Sequence, residues 1–583
     1  MPTSLGDTDS LLAVDVGAAT TRATLFDVVE GYYRFIASGQ AATTAVAPFK
    51  NVGEGVHNAI RSLEAITGRV LLDEKLRLVI PSHGGNGVDT FAATLSAGPA
   101  IKTVVAGLLT DVSCESVQRL ARTAYTRVVD AIGLNDRRKP EEQIDSILRL
   151  RPDLILVAGG ADGGAMRSMR RVLETLGLAC SLLPSDHRPA LLFAGNQALA
   201  EEVTNSFKSL TSSLSLGANL RPTLETEDLL PAQRGLADLY AHIRASQIGG
   251  VEELSAWAGG NLMPTAQAQG RIIHFLSQVY DPHKGILGVD IGASAVTVAA
   301  SFGGDLKLGV YPEFGLGEEL SGLLDYTRLE DIIRWLPIDI SADAVRDFLY
   351  QKSLYPTSVP ATVEELALEQ ALACQLLHLA LAAAGKDFPA RVQRSSPGLT
   401  PYFEPILAGG SVVTHAPTRG QSLMLLLNAI QPVGVTTFIL DQNNLLPALG
   451  AAANLSAILP IQVLESGVFL PLATSVAPVA AARPGTPILR AQLAYKDSNG
   501  IRIDIKQGEL EILPLPIGQS ARLELQPLHH ADVGFGPGRS GKITVSGTAL
   551  GVILDGRGRP LHLHPDLAQR RELFKKWLWT VGG

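Results

Sequence analysis

Residues 11–22, LLAVDVGAATTR, decide the fold of this chain. An aliphatic run ends in Asp15, a turn containing Gly17 follows, and hydroxyl residues open a second run over residues 21–28. The pattern predicts a strand, a tight turn with a positive φ at its glycine, and a second strand. A carboxylate at a strand end can hold hydrated Mg²⁺, and successive turn N–H groups can cradle an anion. We therefore expect a phosphate-binding hairpin here.

The same pattern recurs at residues 286–295, ILGVDIGASA, where Asp290 and Gly292 repeat the register of Asp15 and Gly17. A second strand is predicted over residues 296–302. Asp-x-Gly is common in turns, so two unrelated buried hairpins are the alternative reading. Two copies in register favour a pair of hairpins that clamp the phosphates of one nucleotide.

Five signals in one chain order resemble the actin, heat-shock chaperone and sugar-kinase ATPases. They are a first phosphate loop (15–22), a first connecting helix (264–270, PTAQAQG), a second phosphate loop (290–294), an adenosine loop (406–411, ILAGGS) and a second connecting helix (450–453, GAAA). The resemblance implies an α/β, two-lobed actin-like ATPase fold with duplicated ribonuclease-H-like lobes and a C-terminal β-rich domain. The small residues of 450–453 predict a close helix crossing.

That resemblance also implies ATP and Mg²⁺ as cofactors. Asp15 and Asp290 would be the metal-binding residues and would act in catalysis together with Gln267. The nucleotide-binding residues would be Gly17, Ala18, Ala19, Thr20, Thr21, Arg22, Gly292, Ala293, Ser294, Gly409, Gly410 and Ser411.

Other segments resemble one family more closely. Residues 154–164 (LILVAGGADGG), 194–196 (AGN) with 201–203 (EEV), and 263–265 (MPT) are similar to landmarks of the glutamate mutase accessory proteins. That family is nicknamed MutL and is unrelated to mismatch repair. The resemblance covers about residues 10–455. It implies an ATP-binding chaperone or reactivating factor whose partner is a coenzyme B12-dependent carbon-skeleton mutase.

The sequence departs from the superfamily pattern at several positions that would affect ATP hydrolysis. The stretch after Gly292 carries fewer hydroxyl and carboxylate groups than is usual, and Arg22 replaces a more usual Lys. Met263 stands where heat-shock-type ATPases place a water-orienting Glu, although Gln267 or Gln269 could position water. Since phosphoryl transfer depends on positioning and charge stabilisation, we expect nucleotide binding with slow or absent hydrolysis.

Composition excludes several classes of protein. The 583 residues carry a net charge of −8 and no long basic run, which disfavours a nucleic-acid partner. Three scattered cysteines predict neither a disulfide framework nor a thiolate metal site. The first ten residues lack a signal-peptide core, and polar residues interrupt the longest apolar stretch, 366–385. We expect a cytoplasmic protein without membrane insertion.

The predicted domains are a flexible tail (1–10), lobe I (11–280), lobe II (281–455) and a β-rich domain (456–583). Residues 305–400 read as a helical insertion that contacts a partner or covers the lobe. Helices are expected over 117–132, 141–150, 329–336, 342–350, 363–384 and 566–579, and strands over 76–80 and 154–157.

Three further motifs have competing interpretations. Residues 536–542, GPGRSGK, lack the Ser or Thr of a Walker A loop and are followed by a strand pattern, which favours a solvated turn. The loop 159–164 binds a ligand or only turns the chain. His529, His530, Asp532, His562 and His564 could hold Zn²⁺, but solvent-facing strand residues are the favoured interpretation.

Two rival functions share the fold. One is an actin-like nucleotide-binding scaffold that polymerises or recruits other proteins without hydrolysing ATP and has no metabolic partner. The other is a small-molecule kinase, which would need a catalytic carboxylate beside an acceptor pocket, and the sequence assigns none.

Overall fold

The computed structural model describes residues 10–495 and 500–583. Residues 1–9 of the predicted tail lie outside the described residues, and Ser10 begins the first strand. The chain forms two compact units. Among the described residues, unit 1 comprises 10–269, 308–312 and 447–463, and unit 2 comprises 270–307, 313–446, 464–495 and 500–583.

Unit 1 contains two sheets and the helices that pack on them. Its strands are β1 (Ser10–Val16), β2 (Thr20–Val29), β3 (Tyr32–Ala42), β4 (Thr90–Leu95), β5 (Ile101–Gly107), β6 (Thr126–Gly133), β7 (Leu154–Val157), β8 (Ala190–Phe193), β9 (Leu214–Leu216) and β10 (Met263–Pro264). Its helices are α1 (Gly53–Thr67), α2 (Ser113–Ala121), α3 (Pro140–Leu150), α4 (Met166–Leu182), α5 (Ala200–Phe207), α6 (Leu230–Gln247), α7 (Val251–Trp257) and α8 (Thr265–Val279), which ends in unit 2.

The first sheet of unit 1 has the strand order β3-β2-β1-β4-β10. The strands β1, β2 and β3 form an antiparallel meander, whereas β4 runs parallel to β1 and β10 runs parallel to β4. β1 is buried along its whole length because its aliphatic residues lie in the middle of the sheet. This is the order of a ribonuclease-H-like sheet.

The second sheet of unit 1 is wholly parallel, with the order β6-β5-β7-β8-β9. Its core is aliphatic and includes Ile155, Met169 and Phe193, all fully buried. Strands that alternate with helices explain the α/β layering expected for this stretch.

Unit 2 begins near the second copy of the repeat. Its strands are β11 (Gly285–Ile291), β12 (Val296–Phe302), β13 (Asp305–Tyr311), β14 (Phe403–Gly409), β15 (Gly434–Leu440), β16 (Leu470–Ala477), β17 (Pro487–Ala494), β18 (Ile501–Lys506), β19 (Leu510–Leu513), β20 (Ser520–Pro527), β21 (Gly541–Ser546) and β22 (Val552–Asp555). The helices are α9 (Leu329–Ile333), α10 (Ala342–Leu354), α11 (Val363–Ala384), α12 (Ser411–Thr414), α13 (Arg419–Ile430), α14 (Leu445–Ala452), α15 (Ile458–Glu465) and α16 (Leu567–Thr580). Parts of β13, α14 and α15 belong to unit 1.

The main sheet of unit 2 repeats the topology of unit 1. Its first five strands have the order β13-β12-β11-β14-β15, with β12 antiparallel and β14 parallel to β11, and β15 parallel to β14. One strand order therefore occurs twice in the chain. The predicted actin-like ATPase fold, with duplicated ribonuclease-H-like sheets, is confirmed.

The C-terminal strands divide between two sheets. β17, β18, β20 and β21 form an antiparallel four-stranded sheet with an aliphatic core, which confirms the β-rich C-terminal region. β16, β22 and β19 instead extend the main sheet of unit 2.

Two local predictions are wrong. The segment 117–132 was expected to be one helix, but the helix ends at Ala121 and residues 126–133 form β6, a strand beside β5. The β-branched residues of this segment favour a strand over a helix, and pairing with β5 stabilises that strand. The segment 76–80 forms only an isolated bridge between Leu72 and Leu78.

The helical insertion contains α9, α10 and α11. Of the described helices, α11 passes a length and composition test for crossing a membrane, yet 61% of its most apolar window is buried inside the protein. Thr362 caps its N-terminus by accepting a hydrogen bond from the Glu365 N–H.

Candidate nucleotide site

The first hairpin places Asp15 at the end of β1, in the middle of its sheet. In the strand register Asp15 lies opposite Arg22 on β2 and opposite Thr94 on β4. Directly opposed residues project from the same face of a sheet. The hairpin therefore presents a carboxylate, a guanidinium and a hydroxyl on one face.

Two threonine hydroxyls hold the Asp15 carboxylate, which is only 6% exposed. Thr94 Oγ1 donates to Asp15 Oδ1 over 2.7 Å, and Thr265 Oγ1 donates to the same oxygen over 2.9 Å. Thr265 is the first residue of α8, so a hydrogen bond joins the helix predicted as the first connecting helix to the predicted first phosphate loop. Hydrogen bonds to a carboxylate fix its direction.

The turn after Asp15 is supported by a residue that the sequence pattern did not single out. Thr43 Oγ1 donates to the Gly17 carbonyl over 2.8 Å and contacts Thr21 Oγ1 at 2.9 Å. The Gly17 N–H donates to the Thr20 carbonyl over 3.1 Å. Ala18, Ala19 and Thr20 are half-buried at the tip of the turn.

The glycine of each hairpin turn is needed for space and not for its φ. The expected positive φ is wrong, because neither Gly17 nor Gly292 has one. A Cβ at Gly17 would instead lie 2.9 Å from the Thr20 carbonyl oxygen, and one at Gly292 would lie 3.1 Å from the Ala295 carbonyl oxygen. Both distances are tighter than ordinary van der Waals contacts.

The second hairpin repeats this geometry with different side chains. Asp290 lies opposite Thr297 on β12 and opposite Gly409 on β14, the positions that Arg22 and Thr94 occupy in unit 1. Asp290 is half-buried. The second hairpin thus keeps the carboxylate, but a threonine hydroxyl stands in place of the guanidinium and a glycine in place of the threonine.

A glycine-rich segment packs against the second turn. The Leu316 N–H donates to the Gly292 carbonyl over 2.9 Å. A Cβ at Gly315 would lie 2.6 Å from the Ser294 carbonyl oxygen, and one at Gly317 would lie 2.6 Å from the Ala293 carbonyl oxygen. Backbone from residues 315–317 therefore supports this turn, where a threonine hydroxyl supports the first.

The predicted adenosine loop follows β14 directly and touches the second hairpin. A Cβ at Gly409 would lie 2.7 Å from Asp290 Oδ1. Gly410 has φ +93°, and a Cβ there would lie 2.3 Å from the Ile291 carbonyl oxygen. Only glycine meets both conditions at position 410 without a backbone shift. Ser411 is exposed at the start of α12.

The first connecting helix carries the residues considered for water positioning. The Gln267 amide is buried and donates to Thr123 Oγ1 over 3.2 Å, so its NH₂ group is already engaged inside unit 1. Gln269 is also buried. Met263 Sδ accepts a hydrogen bond from the Asn454 amide over 3.6 Å, and a thioether cannot accept a proton from water.

The close helix crossing predicted from residues 450–453 is confirmed. A Cβ at Gly450 on α14 would lie 1.9 Å from the Ala268 carbonyl oxygen on α8. The two connecting helices are therefore in backbone contact at this point within unit 1.

The Walker-like stretch 536–542 and the glycine-rich loop 159–164 both form hydrogen-bonded or ion-paired local structure. Lys542 of the Walker-like stretch lies in β21 and pairs with Glu524 over 2.6 Å, as expected for a turn followed by a strand. In the loop 159–164, Asn196 holds the Gly163 N–H and the Gly164 carbonyl. Asn219 donates to Asp162.

The histidine cluster does not form a metal centre. Among residues 10–495 and 500–583, no group of three His, Cys, Asp or Glu side chains is placed to hold a metal ion. Asp532 is buried and accepts hydrogen bonds from Ser395, Tyr402 and two backbone N–H groups. His562 and His564 lie outside any strand, so the strand alternation expected for them is wrong.

The three cysteines are free and buried. Burial raises the pKa of Cys114 and of Cys180 to about 12, and raises the pKa of Cys374 further. The thiols therefore stay protonated near neutral pH.

The model of the MutL protein family matches residues 11–468. The chain belongs to the MutL protein family. It is 25% identical over 294 residues to Protein MutL of Clostridium tetanomorphum, and the alignment covers 50% of this chain and 57% of that protein. The chain thus spans little more than half the length of this curated relative.

Solved structures with some likeness include nucleotide-free acetone carboxylase, at 13% identity and TM-score 0.32, covering 85% of this chain and 81% of that chain. A glycerol dehydratase reactivase matches at 13% identity and TM-score 0.26, covering 72% of this chain and 94% of that chain. These TM-scores are too low to support an argument. The fold assignment rests instead on the strand order that occurs twice in this chain.

Proposed function

We propose that this MutL family member binds Mg·ATP and serves as an accessory protein, a chaperone or reactivating factor, for a coenzyme B12-dependent carbon-skeleton mutase in the cytoplasm. One observation carries the nucleotide part of the proposal. Two topologically equivalent hairpins each end their first strand in an aspartate, at positions 15 and 290. Family membership supports the accessory part.

The residues of both hairpins suit a magnesium nucleotide. Mg²⁺ prefers oxygen ligands and usually keeps several waters, so one or two carboxylates suffice beside the phosphates. In the proposal, Asp15 and Asp290 each provide a carboxylate suited to Mg²⁺, and the hydrogen bonds from Thr94 and Thr265 orient Asp15. Bound Mg²⁺ would neutralise charge on the phosphates.

The turns and the adenosine loop complete the proposed site. The short residues 17–20 and 292–294 let the phosphates approach the backbone, where N–H groups donate to anions. Arg22 adds a positive charge beside the first turn. Gly409 and Gly410 bring bare backbone to the nucleotide base, because no Cβ stands above them.

The proposed site is better equipped to bind ATP than to hydrolyse it. The Gln267 amide is engaged by Thr123, and Met263 cannot orient water. Without a residue that orients and deprotonates the attacking water, hydrolysis loses general-base catalysis, which typically accelerates a reaction by about 10²–10⁴-fold. We therefore propose a protein that acts through nucleotide binding with slow turnover. Closure around a bound ligand is a common way to convert binding into motion.

The test uses the full chain and a purified B12-dependent carbon-skeleton mutase from the same organism. Mg·ATP affinity is measured by calorimetry, and recovery of an inactivated mutase is measured with and without Mg·ATP. We expect recovery only with nucleotide and only from chains that retain Asp15; Asp15→Asn is the control. Mg·ATP binding without any recovery would overturn the accessory role and leave the nucleotide site standing.

A further inference from the structure

Arg244 on α6 is a fully buried arginine that pairs with no carboxylate in the described part of the chain. Its side chain is 0% exposed. Nη1 donates to Gln247 Oε1 over 2.9 Å, whereas Nε and Nη2 have no hydrogen-bond partner among the described residues. One side of this guanidinium is therefore satisfied and the other is not.

This arrangement is energetically unfavourable as it stands. A guanidinium keeps its charge in proteins, and a charge buried without an ionic partner is strongly destabilising. The hydrogen bonds from Arg244 reach a carboxylate only through Gln247, whose Nε2 donates to Asp153 Oδ1 over 3.3 Å. A neutral amide thus stands between the cation and the acid, and the charge of Arg244 is not directly compensated.

Two tyrosine rings pack against the guanidinium. Its Cζ lies 5.0 Å from the ring centroid of Tyr240 and 5.9 Å from that of Tyr125. A ring face attracts a cation, but it does not replace hydrogen bonds in the plane of the guanidinium. Tyr240 is 1% exposed, and its hydroxyl also has no partner among the described residues. Three unpaired polar atoms therefore come from residues one helical turn apart.

The unpaired edge of Arg244 is the edge with which arginine holds an oxyanion. In unit 2, Arg490 donates from Nε and Nη2 to the two carboxylate oxygens of Asp504, over 2.7 and 2.8 Å. Arg557 holds Asp555 in the same way, over 2.8 and 2.9 Å. Two parallel N–H donors match two oxygens of a carboxylate or phosphate group. The Nε and Nη2 atoms of Arg244 offer this same pair of donors.

The segment 96–100, which links β4 to β5, covers the guanidinium. A Cβ at Gly98 would lie 2.8 Å from Arg244 Nη1 and 2.6 Å from Ile248 Cδ1, and Gly98 has φ +96°. Only bare backbone fits here. Gly98 is half-buried and Pro99 is exposed, so a single stretch of chain separates Arg244 from solvent.

We propose that Arg244 anchors a binding site for a small oxyanion, a carboxylate or phosphate group. Nε and Nη2 hold two of its oxygens, the Tyr240 hydroxyl is a further donor, and residues 96–100 move aside to admit it. Water would satisfy these donors but would not neutralise the charge, whereas an oxyanion does both. The site lies within unit 1 and uses none of the residues proposed to bind the nucleotide, so it does not depend on that proposal.

The first test measures the thermal unfolding midpoint of the full chain in inorganic phosphate, in acetate and in sodium chloride at equal ionic strength. A ligand that binds only the folded chain raises the midpoint with the logarithm of its concentration. At about tenfold excess over Kd we expect a rise of about 1–2 °C. Whichever oxyanion acts identifies the group that the site takes. A midpoint that neither oxyanion raises above its value in chloride would overturn the proposal.

Substitution of Arg244 separates this site from general salt effects. Phosphate also stabilises proteins by exclusion from their surfaces, and that effect acts on every variant alike. Arg244→Met replaces the charge with an apolar side chain and should lose the specific rise. Arg244→Lys keeps the charge without the paired donors and should bind at least about tenfold more weakly. If Arg244→Met responded to the oxyanions as the unsubstituted chain does, Arg244 would have only a structural role.

Two further variants keep the test decisive even if Arg244→Met does not fold. Tyr240→Phe removes only the unpaired hydroxyl, so it should remain folded and bind the oxyanion about tenfold more weakly. Arg22→Ala removes a cation of the proposed nucleotide site and should leave the oxyanion response unchanged. An oxyanion response that is lost in Arg22→Ala and retained in Tyr240→Phe would assign the oxyanion to the nucleotide site and contradict the proposal.

Discussion

The two hairpins have the same strand order and register, yet their aspartates have different surroundings. Asp15 is buried and accepts hydrogen bonds from Thr94 and Thr265, whereas Asp290 is half-buried and lies opposite Gly409. Thr43 supports the first turn, and the backbone of residues 315–317 supports the second. Duplicated topology therefore fixes where each carboxylate stands and leaves its neighbours free to diverge.

This difference suggests distinct tasks. The first hairpin fixes a carboxylate with side-chain hydroxyls and provides Arg22 beside it. The second hairpin provides space, because glycines at 409, 410, 315 and 317 let backbone segments approach closely. We expect substitutions of the hydroxyls that support Asp15 to act on ligand affinity and substitutions of the glycines packed around the second hairpin to act on stability.

The largest expected effect comes from Gly410→Ala beside the second hairpin. The new Cβ would combine a left-handed φ with a contact of 2.3 Å to the Ile291 carbonyl oxygen. The free energy of unfolding should fall by about 2–4 kcal/mol, as measured by chemical denaturation. Gly398→Ala is the matched control, since Gly398 has φ +82° and nothing within 4 Å.

The control should lose only about 1–2 kcal/mol, the cost of the left-handed conformation. Equal losses for both variants would show that close approach at Gly410 contributes nothing.

An intermediate effect is expected from Thr94→Val and Thr265→Val beside the first hairpin. Each substitution removes one hydrogen bond to Asp15, and a hydrogen bond to a charged group is worth about 1.5–3 kcal/mol. We expect Mg·ATP affinity to fall about tenfold for each variant, measured by calorimetry. Thr103→Val serves as the control, because its buried hydroxyl bonds only the Ile101 carbonyl in the other sheet of unit 1.

If either variant bound Mg·ATP like the unsubstituted chain, the hydroxyls would have only a structural role. A fall in affinity for Thr103→Val would show that the assay reports general destabilisation.

The smallest expected effect is that of Arg22→Ala. One partly exposed cation near the phosphates is worth about 0.2–1 kcal/mol, so Mg·ATP affinity should fall no more than about fivefold. The loss should shrink at high salt, because salt screens the attraction between Arg22 and the phosphates in the unsubstituted chain. Thr297→Ala, at the equivalent position of the second hairpin, should leave affinity unchanged. A larger loss for Thr297→Ala than for Arg22→Ala would reverse the roles assigned to the hairpins.

Much of the duplicated fold could be predicted because its signals are local. The aliphatic runs that end in Asp15 and Asp290 become β1 and β11, and the strands expected over 21–28 and 296–302 appear within one residue of their predicted ends. The helix predicted over 363–384 has those bounds in the structure.

The supporting contacts could not be predicted in the same way. Thr43, Thr94 and Gly317 lie far along the chain from the turns or carboxylates that they touch, and no spacing rule connects them. Thr265 belonged to a recognised motif, but its hydrogen bond to Asp15 depends on β10 lying next to β4. Such contacts follow from tertiary packing, which a single sequence does not encode as a local pattern.

The central claim is that the carboxylates at 15 and 290 are both needed for the proposed binding of Mg·ATP. A double-mutant cycle with Asp15→Asn and Asp290→Asn tests it most directly, with Mg·ATP affinity measured by calorimetry. We predict that each single variant loses at least about tenfold in affinity and that the double variant loses much less than the product, as residues sharing a partner are coupled. Wild-type affinity in either single variant would contradict the claim.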